Sequence, residues 1–144
     1  MPSERSNLEN LVRARQLNAE PADKRELANL LWSADQVLRD SRKTELSVES
    51  RFSLAYNAAH SLALAALRAA GYRRSSSGHR IVLFQVLEIT ANAPRQLALA
   101  LAQYHVHRNK VEYAAHPVTA TETNDLIKLA GELQALVEKR VKRA

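Results

Sequence analysis

Ser47 to Gly71 reads SVESRFSLAYNAAHSLALAALRAAG, and this stretch decides the fold. Ser47 is a residue type that caps a helix N-terminus, and Gly71 stands where a left-handed residue closes a helix. Between them, Phe52, Leu54, Ala55, Tyr56, Ala58, Ala59, Leu62, Ala63, Leu64, Ala65, Ala66 and Leu67 cover most of the helix circumference. Only Ser53, Asn57, His60, Ser61 and Arg68 form a narrow polar stripe. A helix that is apolar nearly all round has to be central and buried. Its alanines let neighbouring helices approach closely.

The rest of the chain agrees. The 144 residues include 24 Ala and 21 Leu, strong helix formers, against only 3 Gly and 4 Pro. Turns are too few for a sandwich or barrel, and a glycine-rich nucleotide fold is equally disfavoured. Outward from the centre, Leu27, Leu30, Leu31, Ala34, Val37 and Leu38 recur at spacings of one, three and four in a helix over about 22–42. The lone Trp32 beside that stripe is expected to pack on a neighbouring helix. An earlier helix spans about 8–19, and residues 1–7 read as disordered. Tyr72 to Gly78 reads as a loop. His79 to Thr90 reads as a short helix, with a strand as the alternative. Helices follow over about 94–114, ended by Pro117, and from about Thr121 onward. The expectation is an all-α, single-domain bundle of five or six helices over 8–144.

Absence of Cys excludes disulfides, thiolate metal sites and a Cys nucleophile. No secretory leader and no apolar run near the roughly 20 residues a bilayer needs can be read, so the expectation is a cytoplasmic protein without membrane contact. The net charge is +6. It peaks locally at Arg68, Arg73, Arg74 and Arg80, around the serine-rich loop. Arg73 and Arg74 are therefore candidate contacts for a phosphate backbone, although a solubilising surface would look the same.

The second informative stretch is Tyr104-His105-Val106-His107-Arg108-Asn109-Lys110-Val111-Glu112-Tyr113-Ala114-Ala115-His116. The apolar stripe Leu97, Leu101, Tyr104 continues into Arg108. An arginine on a core-facing stripe must be paired, or must face a cleft or a partner chain. Three of the five histidines gather here. His105, Glu112 and His116 would share a face if the helix persisted, but Pro117 argues against that, and no metal or other cofactor is expected. His105 and His107 are two apart and point away from each other on a helix.

These two stretches resemble a HEPN domain, the small all-α domain of prokaryotic toxins and of nucleotidyltransferase-associated proteins. Arg51 to His60, running into Ala66-Leu67-Arg68-Ala69-Ala70-Gly71-Tyr72, is similar to the long central helix of these domains. Arg108-Asn109 at a later helix end is similar to their ribonuclease motif. The resemblance covers about residues 45–140. It implies an up-and-down helical core, a homodimer, metal-independent RNA cleavage and a nucleotidyltransferase-type antitoxin partner. Arg108 and Asn109 match the family's Arg and following polar residue. The family histidine, which follows the Arg after four to six intervening residues, does not match: after four residues stands Tyr113, and His116 follows after seven. Tyrosine is almost wholly protonated at neutral pH and is a poor base. Arg108, Asn109, Tyr113 and His116 are the candidate catalytic residues, with His105, Arg73 and Arg74 as candidate substrate contacts. Three readings stay open. One is an RNA- or nucleotide-binding or partner-docking module without catalysis. Another is an endoribonuclease in which Tyr113 or a nearby His replaces the missing histidine. An unrelated helical scaffold is the third.

Overall fold

The structure, a computed structural model, describes residues 4–114 and 117–143, with side chains over 7–110 and 117–142. It is an all-α bundle with one small two-stranded ribbon. In chain order the elements are α1 (Glu4–Arg13), β1 (Leu17–Ala19), α2 (Lys24–Ser41), α3 (Val48–Ala69), β2 (Tyr72–Arg74), α4 (Val82–Gln85), α5 (Leu87–Thr90), α6 (Arg95–Ala114) and α7 (Ala120–Arg143).

α3 is the axis of the bundle. The Ser47 hydroxyl accepts from the Ser50 N–H at its start. At its end, Gly71 takes a φ of +92°, a conformation that suits a residue without Cβ. Ala55, Ala58, Ala59, Ala63, Ala65 and Ala66 are buried along its length. α3 packs chiefly on α2 and α7, and α4, α5 and α6 cover its remaining side. Each flanking helix carries its own start signal. The Asp23 side chain accepts from the N–H groups of Arg25 and Glu26 at the head of α2. Thr119 and Glu122 cap each other's backbone N–H groups at the head of α7.

Several local expectations are corrected. The first helix begins at Glu4, so residues 4–7 are helical, and it ends at Arg13 instead of continuing to Ala19. Arg15, at φ +62°, then reverses the chain. Leu17–Ala19 becomes a strand, antiparallel to Tyr72–Arg74, with Leu17 opposite Arg74 and Ala19 opposite Tyr72. The supposed serine loop therefore begins as a strand. Its hydrogen-bond partners lie more than fifty residues away, where local periodicity carries no signal. Within 79–90 there are two single-turn helices, α4 and α5, meeting at Val86. With these two single-turn pieces the described residues hold seven helices, where five or six were expected. Trp32 is not packed on a neighbour; it is 68% exposed on α2.

Arg68 departs furthest from its expected role. It lies on the polar stripe of α3, yet it is 1% exposed. Its Nε donates to Glu26 at 2.6 Å, and its two terminal nitrogens donate to the carbonyls of Glu20, Tyr72 and Pro21 at 2.9, 3.1 and 2.7 Å. The same group lies 3.2 Å from the Glu20 carboxylate. A buried guanidinium is tolerated because almost every donor is matched. It ties α3 to α2, to β2 and to the segment between β1 and α2 at once. Arg68→Ala should lower stability by about 3 kcal/mol, because it strands three carbonyls and leaves the half-buried Glu26 carboxylate with Arg73 as its remaining arginine. Arg68→Lys should recover little of this, since an ammonium cannot reproduce the planar fork. Denaturant unfolding of the two variants measures both effects.

Candidate functional site

α6 brings the informative stretch against α3. Its inward face runs through Leu97, Ala98, Leu101 and His105, all buried, and on to half-buried Arg108. The stripe therefore passes through His105, while Tyr104 lies beside it, half-buried. On α3, Phe52, Tyr56 and His60 follow one another at four-residue spacing and present a row of rings to α6.

The two rows meet. The Tyr56 hydroxyl and His105 Nδ1 are 2.7 Å apart in a buried hydrogen bond. The Arg108 guanidinium carbon stands 4.8 Å from the centre of the Tyr56 ring, in cation–π range. Phe84 of α4 completes the cluster, with ring centroids 6.1 Å from Tyr56, 5.8 Å from His105 and 6.4 Å from His60. The Nε2 atom of His60 is buried, with no hydrogen-bond partner among the described residues.

Electrostatics hold both imidazoles neutral. Burial is the main cause at His60, reinforced by positive charge from Arg80, by His105, and by Arg108 and Arg74; its pKa is pushed down to about 4. Burial, then Arg108 and Arg80, lower His105 in the same way. The site is thus a half-buried arginine over a tyrosine face, two uncharged imidazoles and further arginines nearby. Chemically it offers a fixed positive charge and neutral hydrogen-bonding groups, a combination suited to an anion.

The other candidates fall as follows. Asn109 lies half-buried on α6, one residue past Arg108. Tyr113 is in the last turn of α6, but its side chain, and the whole of His116, lie outside the described residues. Arg73 bonds Glu20 and Glu26, at 2.7 Å each. Arg74 donates to the Gly78 carbonyl at 2.7 Å. Both are thus engaged in holding the ribbon, and Arg74 also acts on His60 through its charge. His107 points away from His105. It meets the edge of Phe52 and lies 3.0 Å from Glu122, out of line for a hydrogen bond. There it lines a cleft of about 340 Å³ with Gln103, Tyr104 and Asp125. Among the described residues no group of three or more His, Asp or Glu side chains could hold a metal.

Tyr56, His60 and Phe84 escaped the reading of the sequence as site residues. Tyr56 and Phe84 looked like core, and both are buried in it, while His60 read as part of the polar stripe. The usable signal was the four-residue recurrence of Phe52, Tyr56 and His60, which sets a polar-tipped row on one face of an otherwise alanine-rich helix.

No family model, no curated protein and no solved structure matches the chain. The likeness to HEPN domains stands on the quoted residues alone.

Burial of His60 carries a pH signature. The unfolded chain takes up this proton near pH 6.5, and the folded chain only near pH 4. Between those values the unfolded state binds more protons, so stability is full above pH 6.5 and drains away as pH falls toward 4. The loss should be about 2 kcal/mol, allowing for partial contact with water. Denaturation at pH 7 and pH 5 should show it, and His60→Gln should flatten it. An NMR titration midpoint for His60 near 6.5 would contradict the account.

Proposed function

We propose that this chain is a HEPN-like helical module that binds RNA or a nucleotide, with a phosphate seated at the Arg108 cluster. The observation that carries the reading is Arg108 itself. Its guanidinium is held on the inner face of α6 against the Tyr56 ring, and two imidazoles kept neutral lie close by. An arginine pinned in that way is pre-oriented, so little freedom is lost when its fork meets phosphate oxygens. Arg80 adds attraction from the rim, where it is exposed. Order along the chain supports the same reading, since Arg108-Asn109 lies in the last two turns of a late helix, near where the ribonuclease motif stands in the domains it resembles.

Binding without assured cleavage is the form that fits best. The family histidine is replaced by Tyr113, and the imidazoles near Arg108 lie upstream of it or on another helix. A homodimer would bring two copies of Arg108 to one phosphate chain. The partner this reading implies is a nucleotidyltransferase-type antitoxin.

Fluorescence anisotropy with single-stranded RNA tests the proposal. Arg108→Ala should weaken binding by at least about tenfold and reduce the salt slope by about 1. Folded wild-type protein that leaves RNA unbound at low salt would end the reading. RNA cut in the presence of a chelator, but not by Arg108→Ala, would make the protein a metal-independent endoribonuclease. RNA bound and left intact would make it a binding module.

Light scattering at micromolar concentration should report twice the chain mass of 16.1 kDa. A single chain mass would remove the dimer from the proposal.

A further inference from the structure

Tyr56 and His105 are both buried, at 3% and 8% exposure, with 2.7 Å between the phenol oxygen and Nδ1. One proton lies between them, and two arrangements are open to it. In one, the phenol donates to Nδ1 and the ring carries its proton on Nε2. In the other, Nδ1–H donates and the phenol accepts. The two give opposite chemistry at the far ring nitrogen: a donor in the first, a lone pair in the second.

Arg108 selects between them. Its guanidinium sits over the face of the Tyr56 ring. A cation there draws electron density from the ring and from the oxygen bonded to it. The phenol becomes a stronger donor and a weaker acceptor. Arg108 and Arg80 also oppose a second proton on the imidazole.

We infer that Tyr56 is the positioning residue of this site: its hydroxyl donates to Nδ1 of His105 and holds that ring as the neutral Nε2–H tautomer, a hydrogen-bond donor for a phosphate oxygen. The identity of the ligand rests on the function proposed above, whereas the tautomer is a property of the ligand-free protein. With Nδ1 occupied by Tyr56 and Nε2 protonated, His105 has no lone pair to offer as a base. The site therefore takes hydrogen-bond acceptors, the oxygens of a phosphodiester. Any cleavage of RNA must find its base in another residue.

The test is a long-range proton–nitrogen NMR spectrum of the full chain at pH 7, labelled with nitrogen-15 at histidine. The His105 signals are assigned by their loss in His105→Asn. Nε2 should resonate as a pyrrole-type nitrogen and Nδ1 as a pyridine-type nitrogen. In Tyr56→Phe, checked for retained helicity, the two shifts should move toward each other as the tautomers exchange. Binding of single-stranded RNA should weaken by about fivefold, the effect of losing the support for one neutral hydrogen bond. Pyrrole-type Nδ1 in the wild type would overturn the inference, whether or not Tyr56→Phe keeps its fold. The two failures are distinguishable. RNA binding with a proton on Nδ1 sinks this inference alone. The expected tautomer with no binding of RNA sinks the functional reading and leaves Tyr56 holding His105 in place.

Discussion

The buried guanidinium of Arg68 is the interaction on which the rest is hung. A helix as apolar as α3 can slide or rotate among apolar neighbours with little penalty, because alanine contacts are small and alike. One charge at its C-terminal end removes that freedom. Arg68 is satisfied only when α2 brings Glu26, the segment before α2 brings the carbonyls of Glu20 and Pro21, and Tyr72 turns back at Gly71. Any other register leaves a buried charge unmatched. Glu26 is held below the ordinary carboxylate range by its bonds to Arg73, then Arg68, so this lock is charged on both sides at neutral pH. With the end of α3 fixed, the row formed by Phe52, Tyr56 and His60 has one direction to face, and α6 is laid along it.

That arrangement explains how unlike chemistry is divided between two sides of one helix. His105 and His107 sit two residues apart on α6 and share nothing in their surroundings. His105 is enclosed by rings and arginines and is held neutral. His107 faces the head of α7, where Glu122 is kept well into its charged form, first by the backbone N–H of Thr119. Tyr104, beside it, donates to Asp125 at 2.6 Å, and its phenol is pushed well above the usual range by burial and by that carboxylate. One flank of α6 therefore favours anions, and the other, already supplied with carboxylates, does not.

The bundle was legible in the sequence wherever a helix buries a continuous stripe. The ends of α2, α3 and α6 follow from periodicity and from Ser47, Gly71 and Pro117, with errors of a residue or two. Features that depend on distant partners were not legible. The ribbon joins Leu17–Ala19 to Tyr72–Arg74, each only three residues long, and neither has a pattern of its own. Arg68 looked solvated because its carboxylates lie more than forty positions upstream. Arg73 looked available to a polyanion for the same reason, whereas Arg74 is held by a turn carbonyl, that of Gly78, which no charge pattern reveals. Arg108 was legible, since a charge on an apolar stripe is anomalous on its own helix. The ring beneath it was not, since a tyrosine on a buried helix face attracts no notice until the neighbouring helix is known.

Trp32 stands apart from all of this. It is the one tryptophan of the chain, and in the folded protein most of its indole is already bathed in water. Its emission colour will therefore barely move when the bundle comes apart, and a fluorescence melt would record silence where a cooperative transition is taking place. Circular dichroism of the helices is the optical reporter that follows this molecule's collapse.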